Sequence, residues 1–118
     1  YGEAAWQVLQ KTGLANQLKE KLVYGESISQ TNQFILSQSA QMGFTAKSVV
    51  VSPRLQGKGK WTEISPTYYE PIQQGVVLIK RPDTKKRIQA RKFYDFLFSP
   101  VAQKILQKYG YQTTPTRP

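Results

Sequence analysis

Gly75-Val76-Val77-Leu78-Ile79-Lys80, followed after two residues by Asp83-Thr84 and then by Ser99-Pro100-Val101-Ala102-Gln103-Lys104-Ile105-Leu106-Gln107-Lys108-Tyr109-Gly110, decides how this chain is read. The first stretch, led by glycine and rich in branched apolar residues, is the strongest strand signal in the sequence. Asp83 or Thr84 can then cap a helix that runs to about Phe98, with Ala90, Phe93, Tyr94 and Leu97 as its apolar stripe. In the last stretch Ser99 is an N-cap, and Pro100 takes the first helical position, where a missing N–H costs nothing. Gly110 offers the left-handed residue just past the end. Ala102, Ile105, Leu106 and Tyr109 fall at i, i+3, i+4 and i+7, so this helix also turns one stripe toward a core.

Toward the N-terminus the same alternation continues. A helix is predicted from Gly2 to about Thr12, with Ala5, Val8, Leu9 and Thr12 on one face and Gly13 as its stop. A short helix over Leu14 to Glu20 precedes a strand at Lys21 to Tyr24. Ser27 then caps a helix from Ile28 to about Ser37 that turns Thr31, Phe34 and Ile35 inward. Gly43 to Thr45 fits a short buried strand, and a short helix near Ala46 to Val51 ends before Pro53. Residues 53 to 60 read as a loop, Trp61 to Ile64 as a strand, Pro66 to Pro71 as irregular, and residues 112 to 118 as a tail. Strands and helices alternating in this way predict an α/β fold with a mostly parallel sheet flanked by helices. A helix that starts at residue 1 with nothing before it predicts that the chain belongs to something longer.

Composition narrows the chemistry. The 118 residues contain no cysteine and no histidine, which excludes disulfides, thiolate metal sites, a thiol nucleophile and the usual proton carrier at neutral pH. The seven acidic residues are scattered without a paired arrangement, so neither a catalytic centre nor a metal site held by side chains is predicted, and no cofactor is expected. Seventeen Lys and Arg give a formal charge of +10, an excess that suits nucleic acid, an acidic surface or a small anion. The densest run is Lys80-Arg81-Pro82-Asp83-Thr84-Lys85-Lys86-Arg87, continued by Arg91 and Lys92, with a second cluster at Arg54, Lys58 and Lys60. Neither carries the spaced aromatic platform of a single-strand binder, so solvated surface is the simpler reading of both, and a basic nucleic-acid or polyanion module is the alternative. Gly57-Lys58-Gly59-Lys60 lacks the length and the Ser or Thr of a phosphate loop.

Five blocks in order carry a resemblance: Tyr1-Gly2-Glu3-Ala4-Ala5, Lys21-Leu22-Val23-Tyr24-Gly25-Glu26-Ser27-Ile28-Ser29-Gln30, Gly43-Phe44-Thr45-Ala46-Lys47-Ser48, Tyr69-Glu70-Pro71-Ile72-Gln73-Gln74-Gly75-Val76-Val77, and Phe93-Tyr94-Asp95-Phe96-Leu97 running into the Ser99-Pro100 helix. Together they resemble the C-terminal half of the periplasmic molybdate-binding proteins, the substrate-binding subunits of molybdate ABC transporters. The resemblance implies part of a two-lobed, type II periplasmic binding protein fold with the ligand between α/β lobes. By that likeness residues 1 to 73 are a portion of the second lobe, and residues 74 to 111 are a hinge-crossing strand and C-terminal helices that pack on the first lobe. It implies binding of molybdate, with tungstate beside it, and delivery to a membrane permease. It also implies a periplasmic location, with the signal peptide upstream of these residues. An uncovered hinge strand and helix stripe would leave the piece prone to self-association or to exchange of its C-terminal helices.

A tetrahedral oxyanion can be held by N–H groups at helix N-termini, where unpaired donors and the positive end of the helix dipole converge. The family resemblance implies two such donors here, the backbone N–H groups at Tyr1 and Ile28. Gly2, Ser27 and Ala46 are secondary positions. Some members carry a tyrosine, whose hydroxyl reaches the ligand, at the position matched by Ala46, and Ala46 removes that donor. The plainer readings stand beside these: Tyr1 as a frayed helix start, Ile28 as first-turn core, Ser27 and Ser29 as caps, and Trp61, Tyr68 and Tyr69 as packing residues or a partner surface.

Overall fold

The structure is a computed structural model and describes residues 1–80 and 82–113. It forms two compact units, Tyr1–Ile72 and the residues from Gln73 onward. From residue 114 the expected tail lies outside the described residues, as does Arg81.

The first unit holds four helices: α1 (Gly2–Lys11), α2 (Ala15–Leu18), α3 (Ile28–Leu36) and α4 (Lys47–Val50). Short 3₁₀ turns occupy Lys19–Lys21 and Pro66–Tyr68. Gly13 ends α1 as expected, in the left-handed region at φ 75°. The Gly13 and Leu14 N–H groups then bond back to the carbonyls of Gln10 (3.0 Å) and Leu9 (2.9 Å), the paired bonds of a Schellman motif. On the predicted face Val8 and Leu9 are buried, while Thr12 is exposed and spends its hydroxyl on the Val8 carbonyl at 2.8 Å. Ser27 caps α3, and Thr31, Phe34 and Ile35 are half-buried on its inner side.

In the second unit lie α5 (Thr84–Leu97) and α6 (Pro100–Lys108), which pack on each other. Asp83, rather than Thr84, is the cap of α5, its carboxylate accepting the Lys86 N–H at 3.1 Å. Ser99 caps α6 by accepting the Ala102 N–H at 3.3 Å. Gly110, at φ 83°, closes α6 with the Gly110 N–H on Gln107 (2.9 Å) and the Tyr111 N–H on Leu106 (3.1 Å). Ala102 is buried, but Ile105 is half exposed, and on α5 Ala90 and Phe93 are exposed where a core stripe was predicted. Tyr94 and Leu97 keep the inward side of α5, with the Tyr94 and Phe98 rings 5.1 Å apart.

The predicted sheet is where sequence and structure part. Among the described residues there is no strand. Lys21 closes a 3₁₀ turn, and residues 22–24, 43–45, 61–64 and 75–80 are neither helical nor paired. A strand is defined by the ladder bonds that its neighbour makes, and apolar patterning cannot supply the neighbour. Val76, Val77 and Ile79 accordingly stand exposed.

Candidate functional site

Two long helices begin in the first unit, and their starts differ. At α3 the entering chain is extended at Ser27 (φ −152°, ψ 162°) and the helix turns from Ile28. Ser27 Oγ accepts the Gln30 N–H at 3.2 Å, and the Ser27 carbonyl accepts the Thr31 N–H at 3.0 Å. Gln30 reaches back, its Oε1 accepting the Glu26 N–H at 2.7 Å. This is a capping box displaced by one residue, and it uses the donors on both sides of the first turn. Among the described residues no acceptor lies on the Ile28 or Ser29 N–H. Two backbone donors are therefore left open at the positive end of a nine-residue helix.

Gly25 lets the chain turn into this start. A Cβ there would stand 2.5 Å from Thr31 Oγ1 and 2.9 Å from the Thr31 backbone nitrogen, distances that no side chain tolerates. Close approach, rather than a left-handed backbone, is what the position requires.

The start of α1 has no side-chain cap; its first bonded amide is Ala5, on the Tyr1 carbonyl at 3.0 Å. Space is open around Gly2. Beside it lies an open groove of about 210 Å³ lined by Tyr1, Glu3, Ala4, Gln7, Glu70, Pro71 and Ile72. Gln7 Oε1 accepts the Glu70 N–H at 2.7 Å and Lys11 Nζ donates to the Thr67 carbonyl at 3.0 Å, so α1 packs along residues 66–70. Glu3 and Glu70 both border the groove, and carboxylates oppose an anion there.

α1 packs on the 3₁₀ turn at Pro66–Tyr68 and on α2, and the groove lined by Tyr1 includes none of Ser27, Ile28 and Ala46. Ala46 is buried, at 6% exposure, and precedes α4 in extended conformation. Its neighbour Thr45 donates from Oγ1 to Asn32 Oδ1 on α3 at 2.6 Å. Ser27 is a cap, as its plainer reading has it, and Ile28 is half-buried. Gln30 was legible as the fourth residue of a Ser-x-x-Gln signature, whereas nothing in the sequence pairs Thr45 with Asn32.

Lys47 pairs with Glu63 at 2.7 Å and Arg91 with Asp95 at 3.3 Å, both on the surface. Among the described residues no group of acidic residues could hold a metal ion, and no helix is long and apolar enough to cross a membrane.

Comparison with known proteins bears on this geometry. The family of bacterial extracellular solute-binding proteins matches residues 1–112. The chain is 40% identical over 113 residues to the molybdate-binding protein ModA of Rhodobacter capsulatus, covering 96% of this chain and 43% of that protein. It is 39% identical over 112 residues to the ModA of Azotobacter vinelandii, covering 94% and 43%. A protein of Bacillus subtilis strain 168, YvgL, named as a candidate ABC transporter substrate-binding lipoprotein, is 30% identical over 104 residues, covering 87% and 38%. The chain spans less than half the length of these curated relatives. No solved structure matches it.

Proposed function

Because this chain belongs to the bacterial extracellular solute-binding protein family, we propose that the protein it is part of binds molybdate and hands it to the permease of an ABC transporter. The observation that carries the reading is the identity of about 40% with two molybdate-binding proteins across nearly the whole chain. The open donors at the start of α3 give it a chemical basis. A tetrahedral dianion needs converging N–H groups and no proton transfer, and the Ile28 and Ser29 N–H groups offer them without a charged side chain. A binding role of this kind is not enzymatic and calls for no cofactor.

Of the two helix starts, α3 is the stronger candidate, with Ile28 as the donor and Ser27 as the cap that presents it. Tyr1 and Gly2 remain in the proposal as a second contact, weakened by Glu3 and Glu70 in the adjoining groove. Ala46 stands as a neighbour of the site that contributes no hydroxyl. The family favours the periplasmic binding protein fold; the parallel sheet, and residues 74–111 as a segment that packs on the other lobe, are part of the proposal. So are a periplasmic location and an upstream signal peptide. Tungstate, of the same shape and charge, is proposed as a second ligand. The nucleic-acid alternative gains no support, since the matched family binds solutes.

Calorimetric titration of the intact protein with molybdate, tungstate and sulfate tests the reading. Tight binding of molybdate with sulfate far weaker is expected. Sulfate binding as tight as molybdate, or neither ion bound, would sink it.

A further inference from the structure

The positive charge of this chain is lodged almost wholly in its second unit. From Gln73 onward ten Lys and Arg stand against two acidic residues, Asp83 and Asp95, a surplus of eight, whereas seven Lys and Arg against five Glu in residues 1–72 leave a surplus of two. Asymmetry of this degree between two parts of one chain points to a partner of opposite sign. α5 carries five of the ten cations, and the helical repeat sorts them. Ala90, Phe93, Tyr94 and Leu97 share one side, where Tyr94 and Leu97 are half-buried and Lys86 lies at the edge. Lys85, Ile88 and Lys92 follow one another at spacings of three and four on the other side, with Arg87 and Arg91 beside them, and all five are exposed. Any cover that closes over Phe93 leaves this second side in solvent.

Little offsets the charge of that arc. Arg91 is paired with Asp95 one turn on, while among the described residues no carboxylate makes an ion pair with Lys85, Arg87 or Lys92. The arc is the convex side of a 14-residue helix, about 21 Å long. Ile88, 52% exposed, stands in its middle, between Lys85, Arg91 and Lys92.

From this arrangement we infer that the arc of Lys85, Arg87, Ile88, Arg91 and Lys92 docks the protein on an anionic phospholipid surface. Headgroups present a diffuse negative field that cations on a convex helix meet without fixed geometry, and each one near the surface adds to the attraction. An isoleucine among the cations has a use there, since it can enter between headgroups, and it has none against the phosphates of a nucleic acid or the carboxylates of an acidic protein. The proposed function supplies only the setting, a membrane that holds a permease, and the arc itself needs no molybdate.

The test is sedimentation of the intact protein, without molybdate, with vesicles of phosphatidylcholine alone or mixed with phosphatidylglycerol. Binding is expected on the mixed vesicles only and should weaken as salt rises. Replacing Lys85, Arg87 and Lys92 together by Gln, a residue that helices accept, should lower the vesicle affinity by about 30-fold to 150-fold. Replacing Arg54, Lys58 and Lys60 by Gln removes the same charge from the first unit and should change it by no more than about threefold. Ile88→Ser should weaken binding by about 3-fold to 10-fold without altering its salt dependence. No binding to the mixed vesicles, equal binding to both kinds, or an equal loss in the two triple variants overturns the inference. So does tighter binding to duplex DNA or to polyglutamate than to the vesicles, which would give the arc to that partner. These outcomes leave the molybdate reading untouched, and a protein that ignores molybdate yet binds vesicles through α5 keeps the inference and loses that reading.

Discussion

Ser27 and Gln30 close the start of α3 upon each other: the serine hydroxyl accepts the Gln30 N–H at 3.2 Å, and the glutamine side chain turns back to the Glu26 N–H at 2.7 Å. The bonds on either side of the first turn leave the Ile28 and Ser29 N–H groups open between them. A donor held in this way loses little entropy when an anion arrives, because the turn that carries it is already ordered.

Replacing Ile28 by proline removes one of these donors with little cost to the fold. Proline suits the first helical position, and Ser27 already has the extended backbone that a residue before proline adopts. A charge-assisted hydrogen bond is worth roughly 1.5–3 kcal/mol, so molybdate affinity of the intact protein should fall by about 10-fold to 150-fold. Ile28→Ala keeps the donor and should change affinity much less. Calorimetric titration of both, after circular dichroism has confirmed folding, is the check. Equal affinities would take Ile28 out of the site.

Gly25→Ala tests the entry to the same turn from outside it. The added methyl would meet the Thr31 backbone nitrogen at 2.9 Å and the Ser27 carbonyl at 3.1 Å, and neither can swing aside as a flexible side chain would. The first turn of α3 must shift, at a cost of roughly 1–3 kcal/mol in stability by analogy with overpacked sites. Molybdate affinity should fall as well, because Ile28 lies within the displaced turn. A denaturant midpoint and an affinity both matching the unaltered protein would show that the close approach at Gly25 is unimportant.

Helix ends were legible in this sequence and sheet was not, for a physical reason. Ser27, Asp83, Ser99, Pro100, Gly13 and Gly110 act through neighbours within about five residues, so their spacing alone discloses the bonds that they make. Gly75 to Lys80 has strand composition, but a strand needs partners that local sequence does not name, and none is present among the described residues. Ile105 and Phe93 fail in the same manner: periodicity gives the apolar stripe, and what covers it is decided by residues elsewhere. At the start of α3, the Ser27 cap could be read from sequence spacing, whereas Thr45 against Asn32 depends on how two separate segments pass each other.

Gln38 offers a test of stability remote from the site. It follows the end of α3 with φ at 61°, among the described residues the one non-glycine residue in the left-handed region. A side chain there costs roughly 1–2 kcal/mol, part of which glycine gives back through a freer unfolded chain. Gln38→Gly should therefore stabilise by about 0.5–1 kcal/mol, seen as a higher urea midpoint at unchanged slope. Molybdate affinity should stay as it was. A lower midpoint would mean that the Gln38 side chain makes a contact worth more than the strain.

The exposed apolar side chains of the second unit lead to the last expectation. Val77 is 83% exposed, Ile79 69%, Phe93 62% and Val101 61%, and among the described residues of this unit Ala102 alone is buried. Covering one such side chain is worth about 1.5–3 kcal/mol, so a partner that covers several of them gains strongly. Expressed by itself, the 118-residue chain should self-associate or exchange α5 and α6 between copies, and light scattering at increasing concentration should report a mass above the monomer. In the intact protein, proposed to fold its other lobe against these helices, the same faces should be covered and the species monomeric. Cysteines placed singly at Phe93 and Ile105, in a chain with none of its own, would read this directly: rapid thiol labelling in the dilute chain, slow labelling in the intact protein. Equal labelling in both, with a monomer at every concentration, would show that these side chains are ordinary surface and that residues 74–111 pack on nothing further.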